Sequence, residues 1–163
     1  MTALHVRLAG PLDARPMAEI LNAIIAQGGT TALTEPVDAP ILQDWMSSDQ
    51  RSVWHLAEDG GGEVQGFQWV DPHPSIGAHV AQIATFARIG KTGLGIGSAL
   101  FEATKAACKA AGYAWINAEI RADNTGGLAY YQSRGFEDYG RINGYRMQNG
   151  QQVDKILKRY DLK

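Results

Sequence analysis

Residues 87–112 read ARIGKTGLGIGSALFEATKAACKAAG, and this stretch decides the fold. A run of alternating apolar residues ends near Arg88, glycines follow at positions 90, 93, 95 and 97, and a helical pattern then begins without a polar loop. The pattern predicts a strand, a glycine turn and the N-terminus of a helix. Because glycine has no Cβ, the backbone here can approach a ligand closely, and the N–H groups at a helix start favour an anion such as a phosphate.

Other interpretations of this turn are open. Gly90-Lys91-Thr92 is like the end of a nucleotide-binding P-loop, as in an NTPase, but Thr85 stands where that motif has its first glycine. A dinucleotide-binding GxGxxG motif fails, because its third glycine would have to stand at Ser98 or Leu100. A glycine-rich loop that binds nothing is the remaining alternative.

Length and charge limit the class of protein. A chain of 163 residues with a net charge of −2 is expected to form one domain over residues 1–163 and to bind neither nucleic acid nor an acidic membrane. The N-terminus lacks a signal peptide's apolar core, and the longest apolar stretch, from Ile20 to Ala26, is too short to span a membrane. We therefore expect a soluble, cytoplasmic protein without a metal site. Cys108, the only cysteine, is expected to be buried and unreactive.

The periodicity along the chain predicts a mixed α/β fold. Strands are predicted at 5–8, 53–57, 64–70, 79–88 and 114–124, with a terminal hairpin after residue 136 that turns at 147–150. Helices are predicted after Asp13, which would cap the first one, at 40–46, after the glycine turn and at 127–133; residues 71–74 are predicted to form an irregular loop. The sheet should be mostly antiparallel, with six or seven strands and helices on both faces. One parallel pair, 79–88 with 114–124, should be joined by a right-handed crossover through the helix.

Two faces alternate clearly along the strand at 114–124. Its even-numbered residues from Ala114 to Ala122 are apolar and should pack on a helix, whereas its odd-numbered residues are Trp115, Asn117, Glu119, Arg121 and Asp123. On the helix that follows the glycine turn, Leu100, Ala103, Ala107 and Ala110 form a stripe of small residues that should lie close to the sheet.

Two segments resemble motifs of the GCN5-related N-acetyltransferases. The segment from Thr92 to Gly97 is similar to motif A, in which a Gln or Arg precedes Gly-x-Gly; Gly95 and Gly97 match, and Thr92 replaces the long hydrogen-bond donor. The segment from Asn124 to Phe136 is similar to motif B, in which an Asn precedes a short helix that ends in Tyr-x-x-x-Gly-Phe. The remainder looks like the phosphinothricin acetyltransferase branch.

The resemblance implies an enzyme that transfers an acetyl group from acetyl-coenzyme A to a primary amine by direct attack. Many members of the family pair as homodimers, but the sequence leaves the oligomeric state open. Tyr131 would be the general acid that protonates the departing thiolate, although it could instead be a packing residue beside Tyr130. A tyrosine with a pKa near 10 keeps its proton at neutral pH. The remaining residues implied to contact the coenzyme are Phe86 and Ala87 through their backbone N–H groups, then Thr92, Gly93, Leu94, Gly95, Ile96, Gly97 and Ser98, and Asn124, for which a helix cap is the alternative.

The general base departs from the branch pattern. Gln82 stands where the branch has a glutamate, and an amide cannot accept a proton at neutral pH. Glu119 is the best remaining carboxylate, with a salt-bridged or solvated strand residue as the alternative. A chain of water molecules is a further route for the proton. The missing base also leaves open a catalytically inactive sensor of acyl-coenzyme A, and neither the amine nor the length of the acyl group follows from the sequence.

Overall fold

The computed structural model describes residues 3–91 and 94–162. The strands and α-helices of this part of the chain are, in order, β1 His5–Leu8, α1 Ala14–Gln27, α2 Ala39–Met46, β2 Val53–Glu58, β3 Val64–His73, β4 Gly77–Ala87, α3 Ile96–Ala111, β5 Trp115–Arg121, α4 Thr125–Ser133, β6 Glu137–Arg146 and β7 Gln152–Asp161. The predicted mixed fold is confirmed.

One seven-stranded sheet runs in the order β1-β2-β3-β4-β5-β7-β6. Neighbouring strands are antiparallel except β4 and β5, which form the predicted parallel pair. In this pair only three residues of each strand lie opposite one another: Val80 with Trp115, Ala81 with Ile116 and Gln82 with Asn117. Beyond Gln82, β4 stays paired with β3 and β5 stays paired with β7. The sheet therefore opens into a wedge at its centre.

Helices cover both faces of the sheet. On one face α1 and α2 pack against the apolar side of β2 and β3, in a core that includes Met17, Leu21, Leu42, Trp54 and Phe67. On the other face α3 packs against β2, β3 and β4, and α4 packs against β5, around a core that includes Phe101, Ile116, Ile120, Tyr131 and Phe136. The even-numbered residues of β5 thus pack on helices, as their alternation predicted.

Three local predictions differ from the structure. Residues 71–73 belong to β3 rather than to a loop, and Pro72 is tolerated there because β2 ends opposite Val70. The carboxylate of Asp13 does not cap α1; it accepts from Arg7 and from the N–H of Gly10. On α3 the buried residues are Ile96, Leu100, Phe101, Thr104 and Cys108, because the larger side chains rather than the alanine stripe face the sheet. Burial raises the pKa of the Cys108 thiol to about 12.

No helix in residues 3–91 and 94–162 is both long and apolar enough to cross a membrane. The same residues contain no group of three His, Cys, Asp or Glu side chains placed to hold a metal ion.

Candidate active site

The wedge between β4 and β5 opens into a cavity of about 970 Å³. It passes through the sheet, so that residues of α3 and α4 line one side and residues of β5, β7 and the 30–33 segment line the other. Its lining residues include Gln82, Thr85, Phe86, Ala87, Gly97, Glu119, Asn124, Tyr130, Tyr131 and Lys155. A volume of this size suits a small-molecule or cofactor site.

The N-terminus of α3 forms one end of the cavity. Gly95 precedes the helix with a φ of 82°, a left-handed conformation that glycine adopts without strain. The first hydrogen bond of the helix joins the N–H of Ala99 to the carbonyl of Gly95, at 3.0 Å. The N–H groups of Ile96, Gly97 and Ser98 therefore have no acceptor within the helix, an arrangement that favours an anion.

Other predictions for this turn have mixed outcomes. A P-loop would start its helix at Lys91, so the beginning of α3 at Ile96 excludes the nucleotide-binding interpretation. Leu94 is 64% exposed and does not line the cavity. Thr92 and Gly93 lie outside the described residues.

Gly97 is needed for packing within the protein. A Cβ at this position would lie 2.5 Å from Cε1 of Tyr130, closer than real carbon atoms approach. The hydroxyl of Tyr130 donates to the carbonyl of Gly97 at 2.8 Å. The glycine therefore brings α4 against the first turn of α3, and the tyrosine anchors that turn.

Gln68, which is fully buried, orients the hydroxyl groups on this side of the wedge. Its Nε2 donates to Thr85 Oγ1 at 2.8 Å and to Tyr130 Oη at 3.1 Å. Tyr130 has one proton, which goes to the carbonyl of Gly97, so the group of Gln68 that faces Tyr130 must be the donating amide nitrogen.

Thr85 continues this chain to Tyr131, whose Oη lies 2.7 Å from Thr85 Oγ1. Because Thr85 accepts from Gln68, its own proton is available for Tyr131, and the proton of Tyr131 can then point into the cavity. Burial raises the pKa of Tyr131 well above 10, with the neighbouring Tyr130 as the next cause. Burial also raises the pKa of Tyr130. Tyr131 therefore keeps a proton at neutral pH and faces the wedge, whereas the proton of Tyr130 is already engaged.

The backbone of β4 presents hydrogen-bonding groups to the wedge. The N–H of Arg88 donates to Gln65 on the β3 side, at 2.8 Å. Since backbone groups alternate between the two edges of a strand, those of Phe86 also point to β3, and those of Thr85 and Ala87 point to the wedge. Of the two predicted N–H donors, only Ala87 is placed to meet a ligand there. Phe86 lines the cavity, and its ring packs on Trp69 with centroids 5.6 Å apart.

Glu119 lies on the other side of the wedge in a polar cluster. Its Oε2 is 3.3 Å from both His73 Nε2 and Asn117 Nδ2, and its Oε1 is 3.4 Å from Lys155 Nζ. Asn117 Nδ2 also donates to Gln82 Oε1, at 2.6 Å. The carboxylate therefore sits beside the position of the missing base, one strand away.

The contacts of Glu119 with His73 and Lys155 were not predicted from the sequence. The alternation of β5 placed Asn117 on the same face as Glu119, but no motif contains His73 or Lys155. Lys155 comes next to Glu119 through the register of β5 with β7, in which Lys155 lies opposite Arg121. Glu119 and Lys155 are 36 residues apart in sequence, so only the pairing of the two strands brings them together.

Asn124 caps α4. Its Oδ1 accepts from the N–H of Gly127 at 3.0 Å, and its Nδ2 donates to the carbonyl of Thr30 at 3.1 Å. The oxygen and the nitrogen of this amide are thus both bonded within the protein, as expected for a helix cap, which was the alternative to a coenzyme contact. The residue also lines the cavity.

Comparisons with known proteins agree with this geometry. Residues 17–136 match the family model described as the acetyltransferase (GNAT) family. The Bacillus subtilis (strain 168) protein YwnH, named as a suspected phosphinothricin acetyltransferase, is 28% identical over 165 residues, covering 98% of this chain and 96% of that protein.

Solved structures share the whole fold. A crystal structure with a similar name, a suspected phosphinothricin N-acetyltransferase, has a TM-score of 0.86 and 25% identity and covers 99% of both chains. A phosphinothricin acetyltransferase from Sinorhizobium meliloti, solved in complex with acetyl-coenzyme A, has a TM-score of 0.86 and 20% identity, covering 97% of this chain and 88% of that one.

Proposed function

The chain belongs to the acetyltransferase (GNAT) family, and we propose that it transfers the acetyl group of acetyl-coenzyme A to the primary amine of a small or amino-acid-like acceptor. The observation that carries the proposal is the continuity of one cavity from the N–H groups of α3 to Glu119. A coenzyme can enter it from the side of α3 and α4, and an acceptor from the side of α1 and α2.

The residues of the cavity fit acetyl-coenzyme A. The N–H groups of Ile96, Gly97 and Ser98 would bind its pyrophosphate, because a helix N-terminus favours an anion. The backbone groups of Thr85 and Ala87 would pair with its pantetheine arm, as a strand would. The coenzyme supplies an acetyl group on a thioester. Thr92, Gly93 and Asn124 stay proposed as coenzyme contacts on the motif resemblance alone.

Tyr131 and Glu119 would carry out the two proton transfers of the reaction, one as general acid and the other as general base. The amine nitrogen forms a bond to the acetyl carbon, the carbon–sulfur bond breaks, and the products are an amide and free coenzyme A. Tyr131 would donate its proton to the departing sulfur, and Glu119 would accept the proton lost by the amine. His73 and Lys155 hold the carboxylate from both sides, and Glu119 and Gln82 both line the cavity.

A coenzyme-binding sensor without catalysis is the second candidate, and a specific observation favours it. Gln82 replaces the branch's glutamate and is held by Asn117, so the strand position that carries the base elsewhere has no proton acceptor here. The sensor would bind the coenzyme, with an acetyl or a longer acyl group, and release no thiol.

We also infer that the protein works in the cytoplasm, as a single domain over residues 1–163 and as a homodimer. The net charge of −2, with Lys and Arg scattered along the chain, supports a small-molecule acceptor over nucleic acid or an acidic membrane. The mostly exposed edge strand β6 offers one row of backbone groups to a second copy. Light scattering at several protein concentrations tests the dimer.

Calorimetry and a thiol-release assay test the function. Acetyl-coenzyme A should bind, ATP should not, and a panel of primary amines should include acceptors that release free coenzyme A. Binding without release by any amine would favour the sensor. Failure of acetyl-coenzyme A to bind would reject both candidates.

A further inference from the structure

A second cavity of about 310 Å³ adjoins the reaction cavity on the acceptor side. It is lined by Leu33, Trp45, Ser48, Trp69 and Asp71. Leu33 and Trp69 line the larger cavity too, so the two volumes meet at these side chains. An acceptor that reacts in the wedge can therefore extend into this second cavity, which we term the side pocket.

The carboxylate of Asp71 is the charged group of the side pocket. Its Oδ1 accepts from Ser52 Oγ at 2.5 Å, and its Oδ2 accepts from Trp69 Nε1 at 3.0 Å. Both donors are neutral, and no Lys or Arg among residues 3–91 and 94–162 forms an ion pair with Asp71. Burial raises the pKa of Asp71, and the nearby Asp49 raises it further. A cation bound in the pocket would stabilise the ionised carboxylate and offset the free-energy cost of its burial.

Two indole rings form walls of the side pocket. Trp45 of α2 and Trp69 of β3 have ring centroids 6.1 Å apart, with planes tilted by 40°. Tryptophan faces attract ammonium groups more strongly than other aromatic faces do. A carboxylate beside two indoles thus suits an ammonium ion. An anionic group would be repelled, and a purely apolar group would leave Asp71 desolvated without compensation.

The sheet register sets the distance between the side pocket and the reacting amine. Asp71 lies directly opposite Gln82, and Gln82 lies directly opposite Asn117, so these residues form one row across three strands. Neighbouring strands are about 4.8 Å apart, which places the wedge roughly 5–10 Å from Asp71. An alkyl chain of a few methylene groups spans this distance.

We propose that the acceptor is a diamine-like molecule, whose second ammonium group binds Asp71 between Trp45 and Trp69 while the first amine is acetylated in the wedge. The inference deepens the proposed acetyl transfer and rests on it for the identity of the reacting end. The side pocket is then the element that selects the acceptor: it favours a chain that ends in a cation over one that ends in a methyl group or a carboxylate.

Matched pairs of ligands test the side pocket. Diaminobutane and diaminopentane are compared with butylamine and pentylamine, by calorimetry with coenzyme A present and by thiol release with acetyl-coenzyme A. The wild type should bind each diamine about 10- to 100-fold more tightly than the matched monoamine, the range expected for one charge-assisted hydrogen bond. Asp71→Asn should remove this preference and leave the binding of monoamines unchanged.

The control variant is Asp44→Asn, which removes a carboxylate from the exposed side of α2 outside the side pocket. It should keep the diamine preference. Trp45→Phe, which keeps an aromatic ring, should reduce the preference by less than Asp71→Asn does. Melting temperatures measured for all three variants show whether each one is folded.

Two results would overturn the proposal. The first is that the wild type binds diamines and matched monoamines with equal affinity. The second is that Asp71→Asn lowers the affinity for diamines and for monoamines by the same factor. The calorimetric arm is independent of turnover. If diamines bind preferentially through Asp71 and no amine releases thiol, the acetyl transfer fails and the cationic subsite stands. If monoamines and diamines are acetylated equally well, the transfer stands and the subsite fails.

Discussion

Adjacent tyrosines on α4 have different partners, and this difference predicts different effects of the same substitution. Tyr131→Phe keeps the ring and removes the proton donor, so kcat should fall by roughly 10²–10⁴ if thiolate departure limits the rate. Tyr130→Phe removes the bond to the Gly97 carbonyl, so it should raise KM for acetyl-coenzyme A and leave kcat near wild type. Steady-state kinetics of both variants decide the matter; the reverse pattern would place the acid at Tyr130.

Gln68 should act on the reaction through Tyr131. Gln68→Met has a similar volume but no donor, so Thr85 and Tyr130 lose the bond that sets the direction of their protons. We expect a lower kcat and a loss of about 1–3 kcal/mol in the free energy of unfolding, the cost of leaving buried polar groups unpaired. In the Tyr131→Phe background, Gln68→Met should lower kcat little further, because residues that act as a unit are not additive. A full additional loss would mean that Gln68 acts independently.

The raised pKa of Asp71 should make the stability of the protein depend on pH. Its folded pKa lies above its unfolded value near 3.9, so the folded state binds more protons between the two values and stability falls as pH rises through that window. Asp71→Asn can keep both hydrogen bonds, since the hydroxyl of Ser52 can accept from the new amide. The ligand-free variant should therefore melt higher than wild type at pH 7, and the difference should shrink on acidification to about pH 4. A lower melting temperature at pH 7 would contradict this expectation.

At the scale of elements, the close contact between α3 and α4 depends on the absence of a Cβ at Gly97. Gly97→Ala inserts a Cβ against the ring of Tyr130 and should cost about 1–3 kcal/mol of unfolding free energy, as overpacking does. Gly126→Ala on α4 is the matched control, because its Cβ would meet nothing closer than 3.9 Å. It should be neutral or stabilising by up to about 1 kcal/mol through helix propensity. Denaturant unfolding measures both, and equal effects would argue against the close packing at Gly97.

The elements were largely predictable from the sequence because their signals are local. Alternation along β5 and the glycines around α3 act over a few residues, and the strand at 5–8 and the parallel pair were predicted as found. Asp13 was mispredicted because a short polar side chain can cap a helix or bind a nearby arginine, and only the position of β1 places Arg7 within reach. The same limit applies to the site. The place of Glu119 on the polar face of β5 could be predicted from the alternation of that strand. Lys155, His73 and Gln68 join the site only through the registers of neighbouring strands, which the sequence does not show.

At the scale of the whole molecule, the coenzyme should complete the sheet. Two halves, β1 to β4 and β5 to β7, meet through three residue pairs, and beyond Gln82 the facing edges of the two halves are separated by the wedge. A pantetheine arm that fills the wedge would pair with both edges. Ligand binding to the folded state alone stabilises it by about 2.7 kcal/mol at a hundred times Kd. For a chain of this length that corresponds to a rise in Tm of roughly 5–10 °C.

Amide hydrogen exchange resolves where this stabilisation arises. The N–H groups of Thr85 and Ala87 point into the wedge, so they should exchange fast in the ligand-free protein and slowly with coenzyme A bound. The N–H of Phe86 points to β3, as the neighbouring bond from Arg88 to Gln65 indicates, and should exchange slowly in both states. ADP, which carries a pyrophosphate without the pantetheine arm, should leave the fast exchange of Thr85 and Ala87 unchanged. Equal protection of all three amides without ligand would mean that β4 is paired on both edges, and the wedge would then not be the site where the arm binds.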